Sequence, residues 1–122
     1  MAFTHEIKTK AYSITHDVDA ATVICKGSLL LNGAKEYLPI EELLNNAVEQ
    51  QQSNHYLVID IQALELLNSS GINMMTKVIL RKKTINPLLE FTILINKDIV
   101  WQKKLARNLG RLMPTLKVSE SE

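Results

Sequence analysis

The sequence predicts a single α/β layered domain with a parallel portion in its sheet, and three observations predict it. Two short continuous apolar runs, YLVIDI at Tyr56 to Ile61 and FTILI at Phe91 to Ile95, read as interior strands covered on both faces or nearly so. Amphipathic segments precede, separate and follow them, which gives the alternating order of strands and helices. The chain has 122 residues, 46% hydrophobic and 22% charged, enough for one core and too few for two ordinary domains.

Residues 1 to 10 are polar and unpatterned and are expected to form a flexible N-terminus, residues 11 to 118 the domain, and residues 119 to 122 a short acidic tail. Tyr12 and Ile14, then Ala21, Val23 and Cys25, alternate with polar residues and predict a hairpin turning at Asp17-Val18-Asp19. Leu29 to Leu31 continue the apolar pattern after Gly27, and Asn32-Gly33 marks a break. Ile40, Leu43, Leu44, Ala47 and Val48 recur at helical spacing. They predict a helix from about 38 to 52, with Pro39 in its first turn and Glu41 and Glu42 at its positive end. The two apolar runs are expected side by side in the sheet.

Between them, Ile72, Met75 and Ile79 mark one face of a helix from Ser70 to Lys83, while Met74 and Val78 mark a second face. Arg81, Lys82 and Lys83 complement the negative end of its dipole. A last helix begins near Asp98 as N-cap, turns Trp101, Leu105, Leu109 and Leu112 inward, and is closed by Pro114. That stripe assigns Trp101 to the core, with an aromatic interface anchor as the alternative. A short final strand runs through Leu116 and Val118.

Charge says little about partners. The 14 basic and 13 acidic residues leave a formal +1, so no strong field draws the chain to nucleic acid or to an anionic membrane. Cys25 is the only cysteine, which excludes an internal disulfide and a zinc site built on several thiolates, and its apolar surroundings predict a buried, inert thiol. His5, His16 and His55 show no metal-ligand spacing, and neither a metal nor a cofactor is expected. The opening MAFTHEIKTK lacks the apolar core of a signal peptide, and no apolar run approaches a membrane span. A cytoplasmic location is expected.

The segment Leu66-Leu67-Asn68-Ser69-Ser70-Gly71-Ile72 joins a buried strand to an amphipathic helix, a junction that commonly hosts ligands or modifications in α/β sheets. Two readings share this geometry. Ser69 or Ser70 caps the helix by accepting a backbone N–H bond, and Gly71 permits close approach to its first turn. Alternatively, the backbone donors and the helix dipole hold a phosphate carried on a serine, adding about −1.5 to −2 charges to a nearly neutral surface. The chain has no Gly-rich phosphate loop, so an external kinase is the simpler source of that phosphate.

YLVIDIQALELLNSSGINMMTKVILRKK resembles the centre of a STAS domain, the fold of bacterial anti-sigma factor antagonists: a strand, a loop with a Ser-Ser-Gly or Ser-Thr-Gly core, then a helix. The resemblance spans residues 20 to 116. It is nearest to small single-domain STAS-like regulators, cyanobacterial ones included, at GSLLLNG, LNSSGI and WQKK with RLMP. It implies a STAS-type single domain with a mixed sheet of four to five strands and three to four helices. It also implies a non-enzymatic signalling protein whose phosphoacceptor is Ser69, with Ser70 secondary and Asp60, Asn68 and Gly71 supporting the loop. The implied partners are an anti-sigma factor or serine kinase with a histidine-kinase-like ATPase fold and a PP2C-type phosphatase, with the chain a monomer or weak dimer. The usual pattern has Asp before the first hydroxyl residue. This chain has Asn68, which keeps shape and one acceptor oxygen but not the charge.

Met74, Lys77 and Val78 are the expected partner contacts on the exposed side of the 70 to 83 helix, the alternative being that Met74 and Val78 also pack inward. A competing function is a STAS-type module sensing a nucleotide or other small anion at the same helix start, without phosphorylation. A third is an enzyme with Ser69 as nucleophile and His55 or Asp60 as base, although the motif is not G-x-S-x-G and His55 precedes the strand.

Overall fold

The alternation of strand and helix signals is realised in a computed structural model that describes residues 5–51 and 55–120. The elements are β1 (Glu6–Lys8), β2 (Tyr12–Asp17), β3 (Thr22–Leu29), α1 (Gly33–Gln50), β4 (Tyr56–Leu67), α2 (Ser69–Ile85), β5 (Glu90–Ile95), α3 (Val100–Leu112) and β6 (Lys117–Glu120). They build one six-stranded sheet in sequence order, β1-β2-β3-β4-β5-β6. β1, β2 and β3 pair antiparallel and β3 to β6 pair parallel. This mixed α/β arrangement is compatible with the STAS-type expectation, with six strands in place of four to five.

The parallel half explains where the helices lie. Each of α1, α2 and α3 joins a parallel strand to the next one in the same direction, and right-handed crossovers of that kind place all three on one face. Burial follows the pleat: Val23, Ile59 and Ile93 are aligned across β3, β4 and β5 and fully buried. Their neighbours Ile24, Val58, Asp60, Thr92 and Leu94 are only half-buried. The two apolar runs therefore do neighbour each other, but they are covered on one face rather than two, which corrects the expectation. Hydrophobic content alone does not count the layers above a strand.

Other boundaries shift for local reasons. α1 starts at Gly33, not near 38, because Glu36 reaches back to accept the Asn32 backbone N–H at 3.0 Å. Pro39 thus lies in the helix interior rather than its first turn, on the exposed side, where water can serve the carbonyl whose donor it removes. Residue 52, the expected end of that helix, lies outside the described residues. α3 starts at Val100 after Ile99, and Asp98 makes no cap. Leu112, expected inward, is 60% exposed. Glu6–Lys8, in the segment expected to be flexible, forms an edge strand, and the expected final strand is Lys117–Glu120, reaching two residues into the expected tail; residues 1–4 and 121–122 lie outside the described residues.

β4 is twice as long as its apolar run and is irregular. Ile24 faces Asp60 but Lys26 faces Ala63, and Gly27 faces Leu64 while Ser28 faces Leu66, so β4 carries an extra residue at two places. It pairs with β5 only through Asp60 and then follows β3 alone. Gln102 of α3, fully buried, fills the split: its Nε2 donates to the carbonyls of Ile61 at 2.6 Å and Leu64 at 2.9 Å, and its Oε1 accepts the Asn96 N–H at 2.7 Å. Trp101 Nε1 donates to the Glu65 carbonyl at 2.8 Å. Among the described residues no helix is long and apolar enough to cross a membrane.

Candidate functional site

Asn68, not a serine, caps α2. Its Oδ1 accepts the Gly71 backbone N–H at 3.0 Å, and its backbone is extended, as an N-cap requires. The same oxygen lies 2.7 Å from the Tyr37 hydroxyl, which is also 3.0 Å from the Leu29 carbonyl oxygen. With a single hydrogen, the hydroxyl divides its donation between these two acceptors. Asn68 Nδ2 donates to the Leu31 carbonyl at 2.7 Å, and the Asn68 N–H donates to the Leu29 carbonyl at 3.2 Å. The amide orientation is fixed by its surroundings, because a flip would set an NH2 group against the Gly71 N–H and an oxygen against the Leu31 carbonyl.

This network accounts for Asn where the resembling family has Asp. A carboxylate would accept from Gly71 and Tyr37 equally well, yet it has no hydrogen to give the Leu31 carbonyl. Tyr37 is fully buried and its hydroxyl pKa is raised by that burial, so it remains a donor at neutral pH. Gly71 is required by the same packing: a Cβ there would run into Leu67 and come to 2.7 Å from the Tyr37 hydroxyl oxygen. Tyr37 is the residue that sequence reasoning missed, although it precedes Ile40 and Leu44 at helical spacing.

Ser69 is therefore released from the capping role. It is the first residue of α2, exposed, and among the described residues neither its hydroxyl nor that of the half-buried Ser70 makes a hydrogen bond. Their backbone N–H groups are the first two of the helix and have no intrahelical acceptor. The junction thus presents a free hydroxyl beside two free donors at the positive end of a 17-residue helix.

The remaining expected site residues fall elsewhere. Asp60 does not orient the serine loop: β4 continues past it to Leu67, and its carboxylate accepts the Gln62 N–H at 3.0 Å and Gln62 Nε2 at 3.1 Å, pinning the first irregularity of β4. Met74 and Val78 are 5% and 2% exposed and pack in the core, so the second apolar face of α2 is covered by α1. Lys77 is exposed and pairs with Glu41 of α1 at 3.1 Å. Both line a shallow groove with Ser70, Asn73 and Ala34, where Glu41 offsets Lys77 and leaves little attraction for an anion. Cys25 is buried, and burial together with the nearby Asp60 charge pushes its thiol up to about 12.

The histidines gather at the opposite end. The His55 N–H donates to the Gln51 carbonyl, and buried His16 lies 3.2 Å from Gln51 Nε2, just beyond the end of α1. Tyr37, beside the serine loop, is 14 residues earlier on that helix, about 20 Å away at 1.5 Å per residue. No His55 or Asp60 base thus stands near Ser69. The described residues contain no cluster of three or more His, Cys, Asp or Glu able to hold a metal ion.

Known structures share this architecture over essentially the whole chain. The structure of apo-SiaC from Pseudomonas aeruginosa superposes with a TM-score of 0.67 over 100% of both chains at 14% identity. The fold is that of SiaC. A second structure of SiaC from the same organism gives 0.65 at 15% identity over 99% of this chain and 100% of that one. The matching chain in the crystal structure of the diguanylate cyclase SiaD in complex with its activator SiaC gives 0.65 at 15% identity, covering 95% of this chain and 98% of that one. At this identity the likeness to SiaC is one of fold. No protein-family model matches the chain, and no curated protein matches it in sequence.

Proposed function

We propose that the chain is a non-enzymatic regulatory protein that binds a protein partner through the surface around the start of α2 and is switched by phosphorylation of Ser69. The observation that carries this reading is the division of labour between Asn68 and Ser69. Asn68 caps the helix, and the serine next to it is exposed, with an unbonded hydroxyl at a helix N-terminus. A structural serine at this place would be the cap.

A partner serine kinase transfers the γ-phosphoryl group of ATP to Ser69 Oγ, releasing ADP, and a PP2C-type phosphatase removes it. The phosphate is held by the free N–H groups and the helix dipole, so the fold need not change. Its charge of about −1.5 to −2 turns the formal +1 slightly negative and expels or recruits a partner by local electrostatics. Ser70, half-buried on the next position, is the secondary acceptor. The fold shared with SiaC, the activator of a diguanylate cyclase in its complex, supports partner binding as the task and makes an effector enzyme a second partner class beside an anti-sigma-type kinase.

Co-purification from the native host tests the switch. Wild type and Ser69→Ala are expected to retain the same partner and Ser69→Asp to lose or exchange it, with all three equally stable. Identical partner sets for all three forms contradict the reading.

A further inference from the structure

A second surface of α2 is unpartnered. α1 covers its Met74 and Val78 side, while on the other side Ile72 and Thr76 face Trp101, Leu105, Leu109 and Leu112 of α3 across an open groove of about 240 Å³. The lining is mostly apolar, with Thr76, Asn108 and Lys104 as its polar members, and Leu112 is 60% exposed in it. From Trp101 to Leu112 the groove follows α3 for about three turns, roughly 16 Å. An elongated apolar slot between two helices fits the apolar stripe of a third.

The rim specifies the charge of the occupant. α2 and α3 each carry four cations and no acid, whereas α1 carries Glu36, Glu41, Glu42 and Glu49 against Lys35. The cations of α2 are largely spent within the fold: Lys77 pairs with Glu41, Lys82 with Glu49, and Lys83 donates to the carbonyls of Pro87 and Leu89. Those of α3 make no ion pair among the described residues. Lys104 lines the groove, and Arg111, seven residues on, shares its side of α3. This positive potential on a near-neutral protein favours an acidic partner and disfavours a basic one.

We infer that the groove between α2 and α3 is the docking site for an acidic amphipathic helix of a partner protein. This deepens the interaction-switch reading, because Ile72 lies one turn from Ser69 and a phosphate there would repel such a helix from the groove mouth. Docking itself does not require phosphorylation, so the two can fail separately.

Trp101, the only tryptophan, reports on the groove directly. The probe is a synthetic peptide of about 15 residues with leucines at i, i+3, i+4 and i+7 and glutamates elsewhere, against a control with lysines for glutamates. The unphosphorylated full chain is expected to show a saturable change in Trp101 emission with the acidic peptide, weakening several-fold between about 50 and about 300 mM salt. Lys104→Glu combined with Arg111→Glu, both surface changes, is expected to weaken binding about tenfold or more with unchanged thermal stability. Three results overturn the inference: no change in emission up to about 1 mM peptide, equal binding of the lysine peptide, or an emission that follows the chain's own concentration. The last would make a second copy of the chain the occupant.

Discussion

The Tyr37 hydroxyl approaches Asn68 Oδ1 to 2.7 Å and so ties the first turns of α1 to the cap of α2, thirty-one residues away in sequence. Because Asn68 also holds the Leu31 carbonyl and the Gly71 N–H, the end of β3, the start of α1 and the start of α2 are fixed to one side chain. The Ser69 hydroxyl is presented from a rigid base, and partner binding at this place need not order a loop.

Asn68→Asp, which installs the residue usual in the STAS domains that the sequence resembles, is expected to destabilise the fold, since the Leu31 carbonyl then faces an oxygen with no hydrogen. The loss should be about 1 to 3 kcal/mol, the scale of an unsatisfied partly buried acceptor. Asn68→Ala removes the cap as well and should cost more. Urea unfolding of the three proteins gives the ranking; an aspartate variant as stable as wild type would show that the Leu31 bond does not matter.

Gln102→Leu keeps volume but orphans three backbone groups, the buried carbonyls of Ile61 and Leu64 and the part-buried N–H of Asn96. A loss of about 3 kcal/mol or more is expected, together with faster hydrogen exchange in the second half of β4. Exchange confined to α3, with β4 unchanged, would contradict the bracing role.

His16 gives the stability a pH dependence. Burial, and then the neighbouring His5, lower its pKa from the ordinary 6.5, while Asp17 opposes them. The folded state therefore favours the neutral ring. The contribution is fully present above the unfolded pKa and is lost as pH falls below about 6.5 towards the lower folded value. Thermal melts are expected to drop between about pH 7 and pH 5, and less steeply in His16→Gln. Parallel curves for the two proteins would remove His16 as the cause.

The sequence made the order of the central elements readable because apolar periodicity survives in each of them, from the Tyr12 to Cys25 hairpin to the Trp101 to Leu109 stripe. What it concealed was tertiary. The strand EIK is short and polar, and only pairing with β2 makes it a strand. A helix that packs on the sheet with one face and against α1 with another needs two apolar faces, so in sequence Met74 and Val78 resemble a free binding surface, whereas α1 covers them. Asn68 was visible as a departure from the family pattern, but its reason lies in Leu31 and Tyr37, which no local motif includes. The family resemblance places Asp60 beside the Ser69 loop. The extra residues of β4, which carry no signature of their own, separate them.

Intact-mass measurement of the protein purified from its native host, with peptide mapping and Ser69→Ala as control, tests the phosphoswitch most directly. The account predicts a fraction of molecules heavier by one phosphate, located on Ser69 and absent from the alanine variant. An unmodified mass under every growth condition, with partner binding unchanged in Ser69→Asp, would contradict it and leave a constitutive binding domain whose Ser69 hydroxyl has no role in switching.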